Sequence, residues 1–268
     1  MSQALTQPES WQRVATAYAA EVAPTFEPYA ARALALAALP PGAAVADVAC
    51  GPGTLTLLAA RAGARVSALD FAPAMVAALE ARLALEPLPV TAQVGDGMAP
   101  PWPDGTFDAA FSMFGLMFFP DRHRGLRGLH RILRPGGIAV VSSWHPLDQV
   151  PLIGAAFGAL LAQLPGPPPV AGAFPLSQAE DCHAEMAAAG FESVAVEAVA
   201  HTITYPSTAA LWQTMARSNV VLAGLQAALE PALWNQMWGR VLEHLEATFG
   251  AGPQHMTMTA WLTSGRRA

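Results

Sequence analysis

The 268-residue sequence predicts an α/β protein: a doubly wound, mainly parallel sheet of seven strands, with a helical stretch inserted before the last one. Three observations carry this. From Pro41 to Trp144 short apolar runs alternate with helical patterns, and strands spaced by helices build parallel sheets. The first two of those runs end in aspartate, and a glycine turn follows the first. Finally, 53% of residues are hydrophobic and only 13% charged, half the usual quarter, which excludes a disordered linker protein.

The elements follow in order. Residues 1–40 read as an N-terminal helical segment carrying Trp11, Tyr18 and Phe26. Ala44–Val48 is the first strand, Thr54–Ala62 a helix, and Arg65–Leu69 the second strand. Pro73 sits near the start of the next helix, where its missing N–H costs nothing, and Met75, Val76, Leu79 and Leu83 mark the apolar face. Val90–Val94 and Phe107–Phe111 are strands three and four. Arg122–Leu133 is a helix ended by Pro135-Gly136-Gly137, and Ile138–Trp144 is strand five. Leu152–Leu164 is a helix leading into a proline-rich loop through Pro175. Ser177-Gln178-Ala179-Glu180 has the capping-box pattern and opens a helix to Ala189, ended by Gly190. Phe191–Thr204 is strand six. Pro206-Ser207 begins an all-helical stretch, in which Pro231 opens a helix with Leu233, Trp234, Met237, Trp238, Val241, Leu242 and Leu245 on one broad face. Met256–Thr263 is the last strand. The chain is thus expected to be one domain (1–268): a sheet core of 41–206 plus 251–268, and a lid of 207–250 over one end of the sheet.

Composition excludes several functions. The net charge is −6 and every cation is an arginine, too little basic surface to displace counterions from nucleic-acid phosphates. Cys50 and Cys182 make no disulfide framework, which fits a reducing cytosol, and no secretory signal pattern is visible. The longest uncharged run, between Asp148 and Glu180, is broken by glycines and prolines and suits no membrane span. No histidine, cysteine and carboxylate cluster has metal spacing. There is no G-x-S-x-G elbow, and a phosphate loop is impossible without lysine. Oligomeric state is not legible.

The chemistry concentrates at strand ends. Asp47-Val48-Ala49-Cys50-Gly51-Pro52-Gly53-Thr54 joins a strand to a helix through a tight turn, and ligands of open parallel sheets sit at the carboxyl ends of the strands. Gly51 and Gly53 let the backbone approach a ligand closely. Asp70, 23 residues after Asp47, ends the second strand, where an acid accepts hydrogen bonds from ribose hydroxyls. Gly95-Asp96-Gly97-Met98 follows the third strand. A dinucleotide site wants G-x-G-x-x-G, and Thr56 occupies the third glycine position, which demotes an NAD(P)-type oxidoreductase to a rival reading.

Together these segments resemble class I S-adenosylmethionine-dependent methyltransferases, especially the small-molecule branch containing the ubiquinone and menaquinone methyltransferases. Asp47–Gly53, Asp70–Met75 and Gly95-Asp96 match the first three motifs. Pro103–Asp108 and Arg131–Gly137 match the segments around strands four and five. The resemblance implies a Rossmann-like sheet with its last strand antiparallel, S-adenosyl-L-methionine as cofactor and S-adenosyl-L-homocysteine as product. It implies that Ala49, Cys50, Gly51 and Gly53 line the methionine part, and that Asp47 orders the loop or meets the amino group. Asp70 holds the ribose with Phe71 and Met75 beside it. Gly95, Asp96, Gly97 and Met98 take the adenine, Ser112 and Met113 face the cofactor, and Tyr18 comes from a segment that folds over it. The family often has glycine at the position of Ala49.

Methyl transfer asks mainly for alignment, which supplies ~7–11 kcal/mol of the barrier, and for a base only where the acceptor loses a proton. His145, directly after strand five, is the candidate base. Phe114, Met117, Trp144, Trp212 and Met215 are the candidate apolar walls of an acceptor pocket, with Arg217 placed to pair with a substrate carboxylate. The acceptor is expected to be a small, mostly apolar molecule. A non-catalytic S-adenosylmethionine-binding protein is the second rival.

Overall fold

A computed structural model of the chain describes residues 2–164 and 175–268. Two short helices, α1 (Ser2–Leu5) and α2 (Pro8–Ala17), lead through a π-helical turn at Tyr18–Val22 and a tight turn at Ala23–Phe26 into α3 (Glu27–Ala37). The alternating core follows: β1 (Ala44–Val48), α4 (Thr54–Arg61), β2 (Arg65–Asp70), α5 (Pro73–Leu85), β3 (Val90–Val94), β4 (Phe107–Met113), α6 (Arg122–Ile132) and β5 (Leu133–Trp144). Then come α7 (Pro151–Leu161), α8 (Ala179–Ala188), β6 (Glu192–Tyr205), α9 (Thr208–Ser218), α10 (Val220–Ala228), α11 (Pro231–Phe249) and β7 (Gln254–Arg266).

The seven strands lie in the order β3-β2-β1-β4-β5-β7-β6. β7 runs antiparallel to both β5 and β6, while the other neighbouring pairs are parallel. The chain leaves β1 toward β2 and β3, then returns to β4 on the other side. The crevice above β1 and β4 is therefore the switch point where ligands of such sheets bind. Central strands are buried on both faces: Val45, Ala46, Val48, Ala109, Ala110, Phe111, Ala139 and Val140 are inaccessible to water. That explains their continuous rather than alternating apolar pattern.

Local chemistry sets the helix starts. Pro73, Pro151 and Pro231 occupy first turns, and Asp121, Ser207 and Asn219 accept hydrogen bonds from backbone N–H groups of the helices they cap. The capping box expected at Ser177–Glu180 does not form: Gln178 is the cap residue and makes no side-chain bond. Pro135-Gly136-Gly137 does not separate α6 from a later strand. The strand begins at Leu133, and the segment is absorbed where the β4–β5 register shifts between Phe107 and Ala109, helped by Gly136 at φ +79°. The expected proline-rich loop falls largely outside the described residues.

The helices of 208–249 build a small core of their own with α7, centred on Ala156, Leu160, Trp212, Leu222, Trp234, Met237, Val241 and Leu245. On α11 these buried residues follow helical spacing, but Leu233, expected on the same face, is exposed. The unit leans on the N-terminal helices: Val220 of α10 packs with Val14, Ala15, Ala72 and Met75.

Candidate active site

The turn after β1 is built on backbone that side chains resist. Ala49 sits at φ +61°, Gly51 at +54° and Gly53 at +88°, the left-handed region that costs an ordinary L-residue roughly 1–2 kcal/mol. Two of these three positions are glycine, so Ala49 is the strained one. At Gly53 a Cβ would lie 2.4 Å from Leu79 Cδ1, whereas a Cβ on Gly51 would meet nothing within 4 Å. Gly53 permits helix packing, and Gly51 faces open space.

Two buried carboxyl groups flank this turn. Asp70 accepts from Gly51 N through Oδ2 at 2.8 Å and from Ala72 N through Oδ1 at 2.9 Å, so it ties the glycine turn to the end of β2. Burial pushes it up to about 6, against the lowering effect of those backbone N–H groups. Asp47 is 1% exposed. Its Oδ2 accepts from Thr56 Oγ1 at 2.6 Å, while Oδ1 is buried with no partner. Burial raises Asp47 to about 7, with the Thr56 hydrogen bond opposing and the Asp70 charge adding. A buried orphan oxygen is costly and calls for a donor from outside the protein. Thr56, which only marks a missing glycine in the sequence pattern, is thus the group that holds Asp47.

The remaining cofactor candidates divide. Gly95 N bonds to Asp70 O at 2.9 Å. Asp96 is exposed and turns its Oδ1 to Met98 N at 2.8 Å, while a Cβ on Gly97 would strike Phe119 at 2.4 Å. Tyr18 lies near Asp70, and burial together with that charge raises its hydroxyl pKa. Cys50 is buried in the turn, and Ser112 is buried with Oγ unpartnered. Met113, next along β4, is half-buried against the main core. Met75 is 2% exposed and packs under α2 with half-buried Phe71 alongside, so it supports the cradle from behind.

Above β4 and β5 the site turns aromatic. Phe114, at φ +57°, has its N–H held by Ser142 Oγ at 2.9 Å and stacks on Trp144 with ring centres 4.1 Å apart. Phe26 lies 4.7 Å from Phe114 and 5.4 Å from Trp144. Tyr29 lies 5.4 Å from Phe114, and its hydroxyl donates to Met258 O at 2.8 Å. A bulky residue at positive φ is a true outlier, and such strain clusters at functional sites. Tyr29 carries no motif. Its only trace in the sequence is the three-residue spacing from Phe26.

Several acceptor-side candidates sit elsewhere than expected. Trp144 and His145 leave β5 toward opposite faces. His145 stacks on Trp261 at 4.0 Å, with Nδ1 3.5 Å from Gln149 Oε1. Trp261 in turn donates to Ser177 O at 2.9 Å, on the α8 side. His145 therefore does not share a wall with Phe114 and Trp144. Trp212 is fully buried in the helical core, stacked on Trp238 at 4.9 Å and donating to Trp238 O. Met117 is buried in the main core. Arg217 bonds Glu21 of the π-helical turn at 3.0 Å instead of standing free for a carboxylate. Met215 bridges the helical core and a cluster containing Trp144. Among the described residues no cluster of histidine, cysteine and carboxylate groups could hold a metal.

Comparison with known proteins assigns this architecture. Residues 46–141 match the methyltransferase domain family. Curated relatives include 2-methyl-6-phytyl-1,4-hydroquinone methyltransferase of Synechocystis, 40% identical over 42% of this chain and 36% of its own. Demethylmenaquinone methyltransferase of Thermus thermophilus is 41% identical over 38% of this chain and 47% of its own. The aligned stretch thus spans less than half the length of these relatives. In fold, the chain resembles a crystal structure of a methyltransferase-like protein from Bacillus halodurans, with a TM-score of 0.60 at 16% identity, covering 89% of this chain and 98% of that one.

Proposed function

We propose that the chain transfers the methyl group of S-adenosyl-L-methionine to a small, mostly apolar acceptor. The observation that carries this reading is the cradle itself. Open space above Gly51, the unpartnered Asp47 Oδ1 and a glycine turn held by Asp70 all converge at the switch point. A zwitterionic ligand with an ammonium and a ribose fits that donor set: the ammonium supplies what Asp47 Oδ1 lacks, and the free lone pairs of Asp70 accept ribose hydroxyls. Gly95–Met98 would border the adenine.

The bound donor supplies an electrophilic methyl group. The chain's own contribution is to align the acceptor and exclude water. Half-buried Phe26 and Trp144, backed by the buried rings of Tyr29 and Phe114, would take a planar apolar ring at this end, in keeping with the hydroquinone named for one relative. The helices of 208–249, leaning on α2, close over this end as a lid. In this reading His145 is a stacking partner of Trp261 and no base. The low positive charge argues for a small molecule over nucleic acid, and the free thiols Cys50 and Cys182 for the cytosol. No helix among the described residues is long and apolar enough to cross a membrane.

The test is transfer of labelled methyl from S-adenosyl-L-methionine to a short-chain 1,4-hydroquinone, in wild type, Asp70→Ala and His145→Ala. Wild type and His145→Ala should turn over alike. Asp70→Ala should bind S-adenosyl-L-homocysteine more weakly by about 1.5–3 kcal/mol, the worth of hydrogen bonds to a charged acceptor. Unchanged affinity in a folded Asp70→Ala protein would remove Asp70 from the site.

A further inference from the structure

The most concentrated charge in the molecule lies outside the cradle. Residues 122–134 hold five of the fourteen arginines and no acidic residue, in a chain of net charge −6. Three of the five are spoken for. Arg122 pairs with Glu185, Arg131 with Asp104 and Arg134 with Asp108. Arg124 and Arg127 are exposed and have neither an ion pair nor a side-chain hydrogen bond among the described residues. Their spacing with Arg131 puts all three on one face of α6, opposite the face on which Leu126, Leu129 and Ile132 are buried.

That face borders a cleft of about 300 Å³, walled by Met98, Ala99 and Pro100 across from Arg124, Arg127 and Arg131. The cleft is built. Arg131 donates to Pro100 O at 2.6 Å and to Trp102 O at 2.8 Å, pinning the loop. Gly128 allows close approach, since a Cβ there would lie 2.9 Å from Pro100 Cδ. The loop amides of Met98 and Ala99 are already bonded to Asp96, which leaves the two free guanidinium groups as the donors. Adenosine and methionine carry no phosphoryl group, so the donor reading leaves this concentration of arginine unexplained.

We propose that the cleft is a second ligand site, beside the cradle and meeting its adenine border only at Met98, that takes a phosphoryl-bearing anion. Two planar guanidinium forks match the charge and the paired oxygens of a phosphoryl group, which arginine binds bidentately. The volume admits such a group with part of the body attached to it. The same chemistry is offered by a soluble phosphate compound and by an anionic lipid headgroup.

The experiment has two arms, both on the whole chain saturated with S-adenosyl-L-homocysteine. Inorganic pyrophosphate is titrated calorimetrically at low salt, and flotation is measured with vesicles containing phosphatidic acid. The variants are Arg124→Gln, Arg127→Gln and, as a control on α11, Arg240→Gln, all at exposed positions. Saturable pyrophosphate binding that falls about tenfold or more in the first two variants and not in the control is the expected result. Flotation that depends on the same two arginines, with or without pyrophosphate binding, supports the site and assigns its source to the headgroup. No binding in either arm overturns the proposal. So does equal weakening in Arg240→Gln, or binding seen only when S-adenosyl-L-homocysteine is left out, which would place the anion in the cradle. None of these readouts needs turnover, so a failed methyl-transfer assay leaves this result standing.

Discussion

At the ends of β1 and β2, two carboxyl groups lie buried around a turn whose backbone occupies left-handed conformations. At the ends of β4 and β5, four aromatic rings pack with centres 4.1–6.3 Å apart. The first region is polar, local in sequence and constrained by backbone. The second is apolar and assembled from segments more than a hundred residues apart, from Phe26 to Trp144. A donor with fixed charges is held by the first kind of surface. An acceptor selected by shape and apolar area needs the second. The two meet at Tyr18, which lies near Asp70 and packs edge-on against Phe26 with ring centres 6.2 Å apart.

Separating the regions by mutation gives the largest expected effect in the helical lobe that backs the aromatic end. Trp212 is fully buried, so Trp212→Ala should cost about 3–5 kcal/mol of stability, the usual range for emptying a large aromatic site. Below its lowered melting temperature the variant should still bind S-adenosyl-L-homocysteine. Loss of binding in the folded variant would mean that lobe and cradle are one unit. Gly51→Val is the converse. A branched side chain at φ +54° is strained and fills the space above the turn, so homocysteine-product affinity should fall about a hundredfold or more (~3 kcal/mol). The melting temperature should drop only modestly.

The buried acids sharpen the contrast through pH. Both carboxyl groups are raised by burial, Asp47 to about 7 and Asp70 to about 6. A group with a raised pKa stabilises the fold in its protonated form, so its contribution is present at low pH and is lost as pH rises through the folded value. Relative to Asp47→Asn, the ligand-free wild type should therefore lose stability on the order of a few kcal/mol between pH 4 and 8. Product affinity should run the other way, tightening about tenfold from pH 5.5 to 7.5 as Asp47 ionises beside the ligand ammonium, and staying flat in Asp47→Asn. The smallest effect is at Ala49. Relieving φ +61° by Ala49→Gly should stabilise the protein by about 1 kcal/mol, read as a rise in urea midpoint at constant slope.

The same contrast explains what sequence reasoning reached. β1 and β3 have the expected bounds, and α4 and α6 each end one residue earlier than expected, because apolar period, proline and glycine act locally. The turn itself is legible for the same reason: Gly51, Gly53 and Asp70 sit at fixed places relative to strand ends, and the structure brings them together there. The aromatic end is not. Phe26 and Tyr29 meet Phe114 and Trp144 only through tertiary folding, and no local spacing encodes that. His145 was misplaced relative to Trp144 by the pleat: successive residues face opposite sides of a sheet. Arg217 looked free because its partner, Glu21, lies in a π-helical turn that helical spacing does not anticipate.

Binding of the methyl donor in the cradle of Gly51, Asp47 and Asp70 underlies every expectation above. Calorimetric titration of the wild-type protein with S-adenosyl-L-homocysteine and, separately, with NADH tests it most directly. One saturable site for S-adenosyl-L-homocysteine is expected, with no heat of binding for NADH. Saturable binding of NADH with none of S-adenosyl-L-homocysteine would contradict it.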